Sequence, residues 1–300
     1  MHNEKVSVLM ALYNENIGHA KLAIESVINQ THQNKEFIVI IDNSKNTEIE
    51  MTVNAYSIEY PFIKVLKNEI NLGLAKSLNK GISACTGEYI ARMDGDDICD
   101  LKRLDHQLSF LKKTNSDFVS CNVELIDDDG KRLGETKFKK FSDQEISKII
   151  QFKSPFIHPT WFFKANIIKE VGFYNPYEAA QDYDYLYRIW KSGAIINMDE
   201  KKLLQYRQGA NSVSNSRLYL QLLSKEFIRN NFSNNTEFSE MNYKKFINKQ
   251  PSLLERVGLN FFIKSKHLSG LQRFLLQVCA FFLSKRIRNE LILELKGKIT

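Results

Sequence analysis

The feature that most constrains this chain is an alternation that begins at its sixth residue. Strand-type runs at Val6–Leu12, Phe37–Ile41, Ile63–Leu66 and Glu88–Met93 take turns with amphipathic runs at 20–29, 48–58, 74–84 and 101–112, and another strand-type run follows at Phe118–Ile126. Strands separated by helix-length segments are joined by crossovers rather than tight hairpins. The pattern therefore predicts an α/β fold, a Rossmann-like, mostly parallel sheet with helices on both faces. Ligands of such sheets bind beyond the carboxyl ends of the strands, so the residues after Leu12, Ile41 and Met93 are the first place to look for chemistry.

The alternation stops near residue 127. Asp127-Asp128-Asp129-Gly130 reads as a hairpin turn, and Pro155, Pro159 and Pro176 break up the stretch that follows. A helix is expected over Asp182–Lys191. From Leu218 onward the chain is rich in Leu, Phe, Lys and Arg with helical periodicity, interrupted at 230–239 and at Pro251, and predicts a C-terminal helical appendage.

Hydrophobic residues at 43% and charged residues at 26% allow a sizeable core and exclude a disordered chain. The net charge of +7 is unevenly placed: residues 217–300 carry fifteen bases against six acids, and residues 1–216 a slight acidic excess. The C-terminal segment is thus expected to meet something anionic. Cys85, Cys99, Cys121 and Cys279 include no CxxC pair and no zinc-finger spacing, which leads us to expect reduced structural thiols in the cytoplasm. The start lacks the pattern of a signal peptide. The longest apolar stretch, Phe274–Leu283, is ten residues, well short of the roughly 20 that span a bilayer.

Three groupings can carry chemistry. In Arg92-Met93-Asp94-Gly95-Asp96-Asp97, three carboxylates within four residues follow a strand. They repel one another unless a cation is near, and hard oxygen ligands suit Mg²⁺ or Mn²⁺. An acidic surface turn is the other reading of such a loop. At the first two strand ends, Ala11-Leu12-Tyr13-Asn14-Glu15 and Asp42-Asn43-Ser44 bring an aromatic face and a carboxylate acceptor together, groups that suit a uracil base. In Gln181-Asp182-Tyr183-Asp184, an acid in the first turn of a helix complements the helix dipole, or serves as a base for an acceptor hydroxyl. Asp182 and Asp184 cannot both face one pocket, and Asp182 is the candidate base. The chain has no GxGxxG, GxxxxGK[ST] or HExxH, which removes the usual support for dinucleotide oxidoreductase, P-loop and zincin chemistry.

Taken in order, Val6–Glu15, Ile24-Glu25-Ser26-Val27 through Gln30-Thr31, Asp42-Asn43-Ser44, Asn71-Leu72-Gly73-Leu74-Ala75, Leu78-Asn79, Gly81-Ile82, Gly87–Asp97, Arg103-Leu104, Gln107, His158-Pro159, Gly172, Tyr174, Asp182-Tyr183-Asp184 and Tyr206-Arg207 resemble a family 2 glycosyltransferase of the GT-A fold, in its bacterial surface-polysaccharide branch of O-antigen, lipopolysaccharide and capsule synthesis. The likeness covers about residues 5–215. It implies a catalytic domain at 1–215, with a nucleotide-sugar half at 1–100 and an acceptor half at 101–215, followed by the basic helical segment at 216–300.

The resemblance further implies inverting, Mn²⁺- or Mg²⁺-dependent transfer of a hexose or N-acetylhexosamine from a UDP-sugar to a lipid-linked saccharide, with formation of a β-glycosidic bond. Tyr13 would stack on the base, Ala11 and Glu15 would line the donor site, and Asp42 would accept the ring N–H. Asp94 and Asp96 resemble the DxD pair, with Asp96 as the direct metal ligand and the adjacent Asp97 sharing contacts to metal or ribose. Asp182 matches the catalytic base, and His158 and Arg207 sit where acceptor-side or diphosphate-side groups are found. Two departures stand out: Ile41-Asp42 where Asp-Asp is common, and Gln181-Asp182 where Glu-Asp is common, which leaves the base beside a neutral amide.

Within Leu271–Leu295, apolar and aromatic residues precede Lys285-Arg286-Ile287-Arg288. This suits an interfacial anchor on the inner face of the cell membrane, or equally a helix packed on the rest of the chain with solvated bases. Nucleic acid is not an expected partner, since no binding motif accompanies the bases. The competing readings are a sugar-nucleotide nucleotidyltransferase, disfavoured because Tyr13-Asn14-Glu15-Asn16 is not a Gly-rich basic loop, and a non-catalytic glycan- or lipid-binding scaffold.

Overall fold

A computed structural model describes residues 3–138, 141, 143–208, 218–266 and 268–299. The chain divides into two compact units, one formed by Met1–Ile146, Pro155–Asn175 and Tyr185–Ala210, the other by Ser147–Ser154, Pro176–Asp184 and Asn211–Thr300. The expected boundary near residue 215 lies outside the described residues.

The first unit is built on β1 (Val6–Leu12), α1 (Ile17–Ile28), β2 (Lys35–Ile41), α2 (Thr47–Glu59), β3 (Ile63–Lys67), α3 (Leu74–Ile82), β4 (Tyr89–Asp94), β5 (Ile98–Cys99), α4 (Arg103–Lys113), β6 (Phe118–Ile126) and β7 (Arg132–Glu135). Then come α5 (Asp143–Ile150), β8 (Phe162–Lys164), α6 (Ile167–Val171), α7 (Gln181–Lys191) and β9 (Ile196–Arg207), of which α5 and α7 each contribute residues to both units. The sheet order is β3-β2-β1-β4-β8-β6-β9-β5, with β7 paired to β6. Pairing is parallel from β3 to β4 and between β6 and β9, whereas β8, β7 and β5 enter antiparallel.

The strand-type runs form strands because both of their faces are covered. Every residue of β1 is buried, as is almost all of β2, so a continuous apolar run is what the sheet interior requires. Asn16 and Asn46 mark the helix starts: Asn16 Oδ1 accepts from the Gly18 and His19 amides, and Asn46 Oδ1 from the Ile49 amide. The expected hairpin joins β6 to β7, closed by the Asp127 amide donating to the Lys131 carbonyl at 2.9 Å, with Gly130 at φ 81°.

Register sets the position of the site. β1 and β4 pair with Ala11 opposite Asp94, and β1 and β2 pair with Leu12 opposite Ile41. Three parallel strands therefore end at one level, and their next residues share one edge of the sheet. A buried arginine fixes what lies beyond β4. Arg103 donates to the Arg92 carbonyl at 2.8 Å and to the Pro159 carbonyl at 2.7 Å, while its Nε bonds Gln107 at 2.9 Å. The β4 backbone and the turn at His158–Thr160 are thereby held by one guanidinium.

The second unit contains α8 (Leu218–Asn234), α9 (Glu240–Ile247), α10 (Leu253–Lys266), α11 (Gly270–Leu283) and α12 (Lys285–Ile299). One apolar cluster joins Leu218, Leu222, Leu259, Phe262, Ala280 and Ile287, and a second joins Tyr177, Tyr183, Phe227, Ile228 and Tyr243. Glu290 is buried, held by Lys225 at 2.8 Å and Arg229 at 3.1 Å. No helix among the described residues is long and apolar enough to cross a membrane.

Where β4 begins, Gly87 lies against backbone. A Cβ there would sit 2.7 Å from the Ser7 nitrogen and 2.8 Å from the Lys5 carbonyl, neither of which can move without disturbing β1. Gly87→Ala is expected to destabilise the chain by about 1–3 kcal/mol, read from urea unfolding against wild type.

Candidate active site

Beyond β1, the Tyr13 ring is 43% exposed at the sheet edge, and its amide donates to Glu15 Oε2 at 2.6 Å. Asn43 Nδ2 donates to Asn14 Oδ1 at 2.6 Å, linking the loops after β1 and β2. Asp42 is buried at the end of β2. Its Oδ1 accepts from Asn68 Nδ2 and the Leu72 amide, each at 2.8 Å, and its Oδ2 accepts from the Gly73 amide at 2.9 Å. Asp42 is thus the fastening point of the loop leading into α3. Gly73 adopts φ 79°, a conformation that side chains disfavour.

Beyond β4 the carboxylates crowd together. Burial, with the charges of Asp96 and Asp94, pushes Glu15 up to about 7. Burial and the neighbouring Asp94 push Asp96 up to about 6. Asp97 is raised well above the usual range, first by burial and then by Asp94 and Asp96. These shifts have one origin: charged oxygens share a poorly hydrated space and the protonated forms relieve them. The Asp97 Oδ1 accepts from the Arg207 amide at 2.8 Å, whereas Oδ2 has no hydrogen-bond partner among the described residues.

Two buried arginines contact this cluster, and a third holds the strand that leads into it. Arg92 Nη1 pairs with Asp94 Oδ1, and its Nε and Nη2 have no hydrogen-bond partner among the described residues. Arg207 donates through Nε to the Asp96 carbonyl at 2.8 Å and through Nη1 to the carbonyls of Asp127 at 2.7 Å and Asp128 at 3.0 Å. Arg207 therefore clasps the acidic loop to the β6–β7 turn. Arg103 fixes the β4 backbone, as described above.

His158 is buried in the same unit, with its Nε2 2.9 Å from the Tyr174 hydroxyl and its ring edge-on to Trp161. Burial, reinforced by the nearby Arg92 charge, pushes its imidazole well below the usual value and keeps it neutral. Asp182 lies in the first turn of α7 and is half-buried, and Asp184 is buried. Both belong to the second unit.

The sheet edge of the first unit thus gathers Ala11, Tyr13, Glu15, Asp42, Asp94, Asp96 and Asp97, with Arg207 bound to the acidic loop and His158 within the field of Arg92. A hard divalent ion suits this donor set: oxygen ligands only, one buried carboxylate oxygen without a partner, and acids raised by mutual repulsion. No group of three His, Cys, Asp or Glu among the described residues converges into a ready-made cage. Such an ion would therefore draw further ligands from a bound molecule, as Mg²⁺ usually does with phosphates. Sequence reasoning assigned no role to Arg92 or Asn68. Arg92 did leave a signal, as a charged residue between the apolar Ala91 and Met93 of a strand interior, which demands a buried partner.

Strand order and register define an α/β protein with an acidic edge at the carboxyl ends of parallel strands, and comparison with known proteins makes the class specific. The chain belongs to glycosyltransferase family 2, whose pattern, described as "Glycosyl transferase family 2", matches residues 7–172. An uncharacterized glycosyltransferase of Methanocaldococcus jannaschii is 32% identical over 83% of this chain and 83% of its own length. The O-antigen biosynthesis glycosyltransferase WbnJ of Escherichia coli is 30% identical over 72% of this chain and 84% of its own. Among solved structures, S. aureus TarS 1-349 in complex with UDP-GlcNAc is similar with a TM-score of 0.61 at 16% identity, covering 98% of this chain and 92% of that one. The fold is the GT-A fold that the resemblance led us to expect.

His158 makes the stability of this region pH-dependent. The unfolded chain's imidazole takes up a proton below about 6.5, and the folded one resists it. The contribution is therefore fully present above that pH and lost as pH falls below it, at up to about 1.4 kcal/mol per pH unit. His158→Gln is expected to flatten the slope between pH 6.5 and 5 by as much as one proton, measured by urea unfolding in EDTA.

Proposed function

We propose that this protein is an inverting glycosyltransferase that moves a hexose or N-acetylhexosamine from a UDP-sugar to a lipid-linked saccharide in surface-polysaccharide synthesis, working at the inner face of the cell membrane. The observation that carries the reading is the crowding of Glu15, Asp94, Asp96 and Asp97 beside the exposed Tyr13 ring, at the carboxyl ends of parallel strands in a family 2 fold. A similar structure, TarS, is described with UDP-GlcNAc, and a relative, WbnJ, is named for O-antigen biosynthesis. Both support the choice of donor and process.

In this reading the Tyr13 ring stacks on uracil, and Asp42 Oδ2, which already accepts one bond, takes the ring N–H with its second lone pair. Asp94 faces ribose and sugar hydroxyls. Asp96 and Asp97 would hold Mn²⁺ or Mg²⁺, which would supply positive charge against the charge that develops on the diphosphate. Asp182 takes the proton of the attacking acceptor hydroxyl. The bond from the acceptor oxygen to the anomeric carbon forms as the bond to UDP breaks, so one displacement inverts that carbon and an α-linked donor yields a β-glycoside. Arg92 keeps one Asp94 oxygen occupied and so fixes which oxygen is offered to the donor.

A thermal-shift panel of UDP, GDP, dTDP and CDP, each with Mn²⁺ and with EDTA, tests the donor site. The expected result is selective stabilisation by UDP with Mn²⁺, lost in Asp96→Ala. Stabilisation by no nucleotide would favour a glycan- or lipid-binding scaffold instead.

For the base, Asp182→Asn is expected to leave UDP binding intact and to slow transfer by roughly 10²–10⁴-fold in single-turnover assays. Turnover at the wild-type rate would assign the proton transfer to another group.

A further inference from the structure

α11 turns a large apolar surface to solvent. Leu271, Phe274, Leu275, Val278 and Phe282 recur at spacings of three, one, three and four residues and so share one side of a helix. Four of them are strongly exposed: Leu271 at 71%, Phe274 at 61%, Leu275 at 52% and Phe282 at 73%. The opposite side supplies the buried Ala280, which packs with Leu259, Phe262 and Ile287 of the same unit. The stripe is therefore the outward face of a helix whose inward face is already used. A contiguous apolar patch of this kind marks an interaction site.

The charges of the same segment indicate what lies against it. Over residues 251–292 the acids are Glu255 and Glu290, and both are engaged within the unit: Glu255 by Arg286, Glu290 by Lys225 and Arg229. Among the described residues of that stretch the exposed ionic side chains are all basic: Arg256, Lys264, Arg273 and Lys285. A second copy of this chain would bring the same bases against these in a two-fold contact and be repelled. A layer of phosphate headgroups complements them.

We propose that the Leu271–Phe282 face of α11 is a docking surface for an anionic lipid bilayer. At fourteen residues α11 is too short to span one, so the helix lies in the interface plane with its stripe among the acyl boundary and the bases at headgroup level. The inference deepens the proposed function by naming the surface on which a lipid-linked acceptor is met. It rests on that reading for its purpose alone, since lipid binding is measured without donor or acceptor.

The test is co-sedimentation of the full chain with vesicles of phosphatidylcholine alone and of phosphatidylcholine with phosphatidylglycerol, at low and high salt. Binding to the anionic vesicles is expected, weakened by salt and by Lys264→Gln or Lys285→Gln, each by about fivefold. It is expected to fall at least tenfold in Phe274→Glu/Phe282→Glu. Those two side chains are exposed, so thermal unfolding should be unchanged, and UDP binding by the same variant reports the donor site separately. Absence of wild-type binding to anionic vesicles, or equal binding by the double variant, overturns the proposal. A dimer in light scattering that the double variant dissociates, with no vesicle binding, overturns it too and assigns the face to a second copy. Loss of UDP binding with vesicle binding retained would sink the transferase reading and leave this surface standing.

Discussion

Mutual repulsion among carboxylates at the ends of β1 and β4 is the constraint that the first unit is organised around. Two unit charges 4 Å apart near a protein surface interact by about 4 kcal/mol, and poor hydration withdraws the solvent that would otherwise absorb it. Left to itself the Asp94–Asp97 loop would swing into water. Three arginines prevent this, each differently. Arg92 faces Asp94 directly, Arg103 ties the β4 backbone to the turn at Pro159, and Arg207 clasps the loop to the β6–β7 turn. The acids that stay raised after this are Glu15, Asp96 and Asp97.

The sheet edge was legible from the chain because β1, β2 and β4 are sandwiched strands whose apolar runs stop where the polar site starts. β1 and β6 fall on the expected residues, and α7 begins within one residue of the expected start. The shorter strands carry no such signal. β5 has two residues and β8 three, too few for a period, and each exists because an adjacent strand offers hydrogen bonds. β9 reads as polar across Asp199–Lys202, where its register against β6 shifts. Apart from the β6–β7 hairpin, the antiparallel part of the sheet is therefore a product of tertiary pairing, which alternation along the sequence cannot announce.

The same division holds within the site. Tyr13, Asp42 and the acidic loop were visible as side chains at strand ends. What holds them was not, because the partners are distant in sequence: Arg207 reaches Asp97 across 110 positions and Asp128 across 79. Arg207 is instructive here. Its guanidinium binds three backbone carbonyls, a fixing task that composition and spacing do not distinguish from a diphosphate contact.

Asp42 shows how fixing and recognition can be one property. Each carboxylate oxygen offers two lone-pair directions. Oδ1 uses both, on Asn68 and the Leu72 amide, while Oδ2 uses one, on the Gly73 amide. Among the described residues a single acceptor direction is thus left on an otherwise saturated, buried group, and it is orientated by the very bonds that close the loop into α3. An N–H donor arriving there meets an acceptor whose position is already set, so little ordering remains to oppose binding. The loop and the acceptor then stand or fall together: a change that frees Asp42 to rotate also releases the Asn68–Gly73 segment. On the proposed reading of Asp42 as the base-reading acid, its geometry is set by residues that need never touch the base.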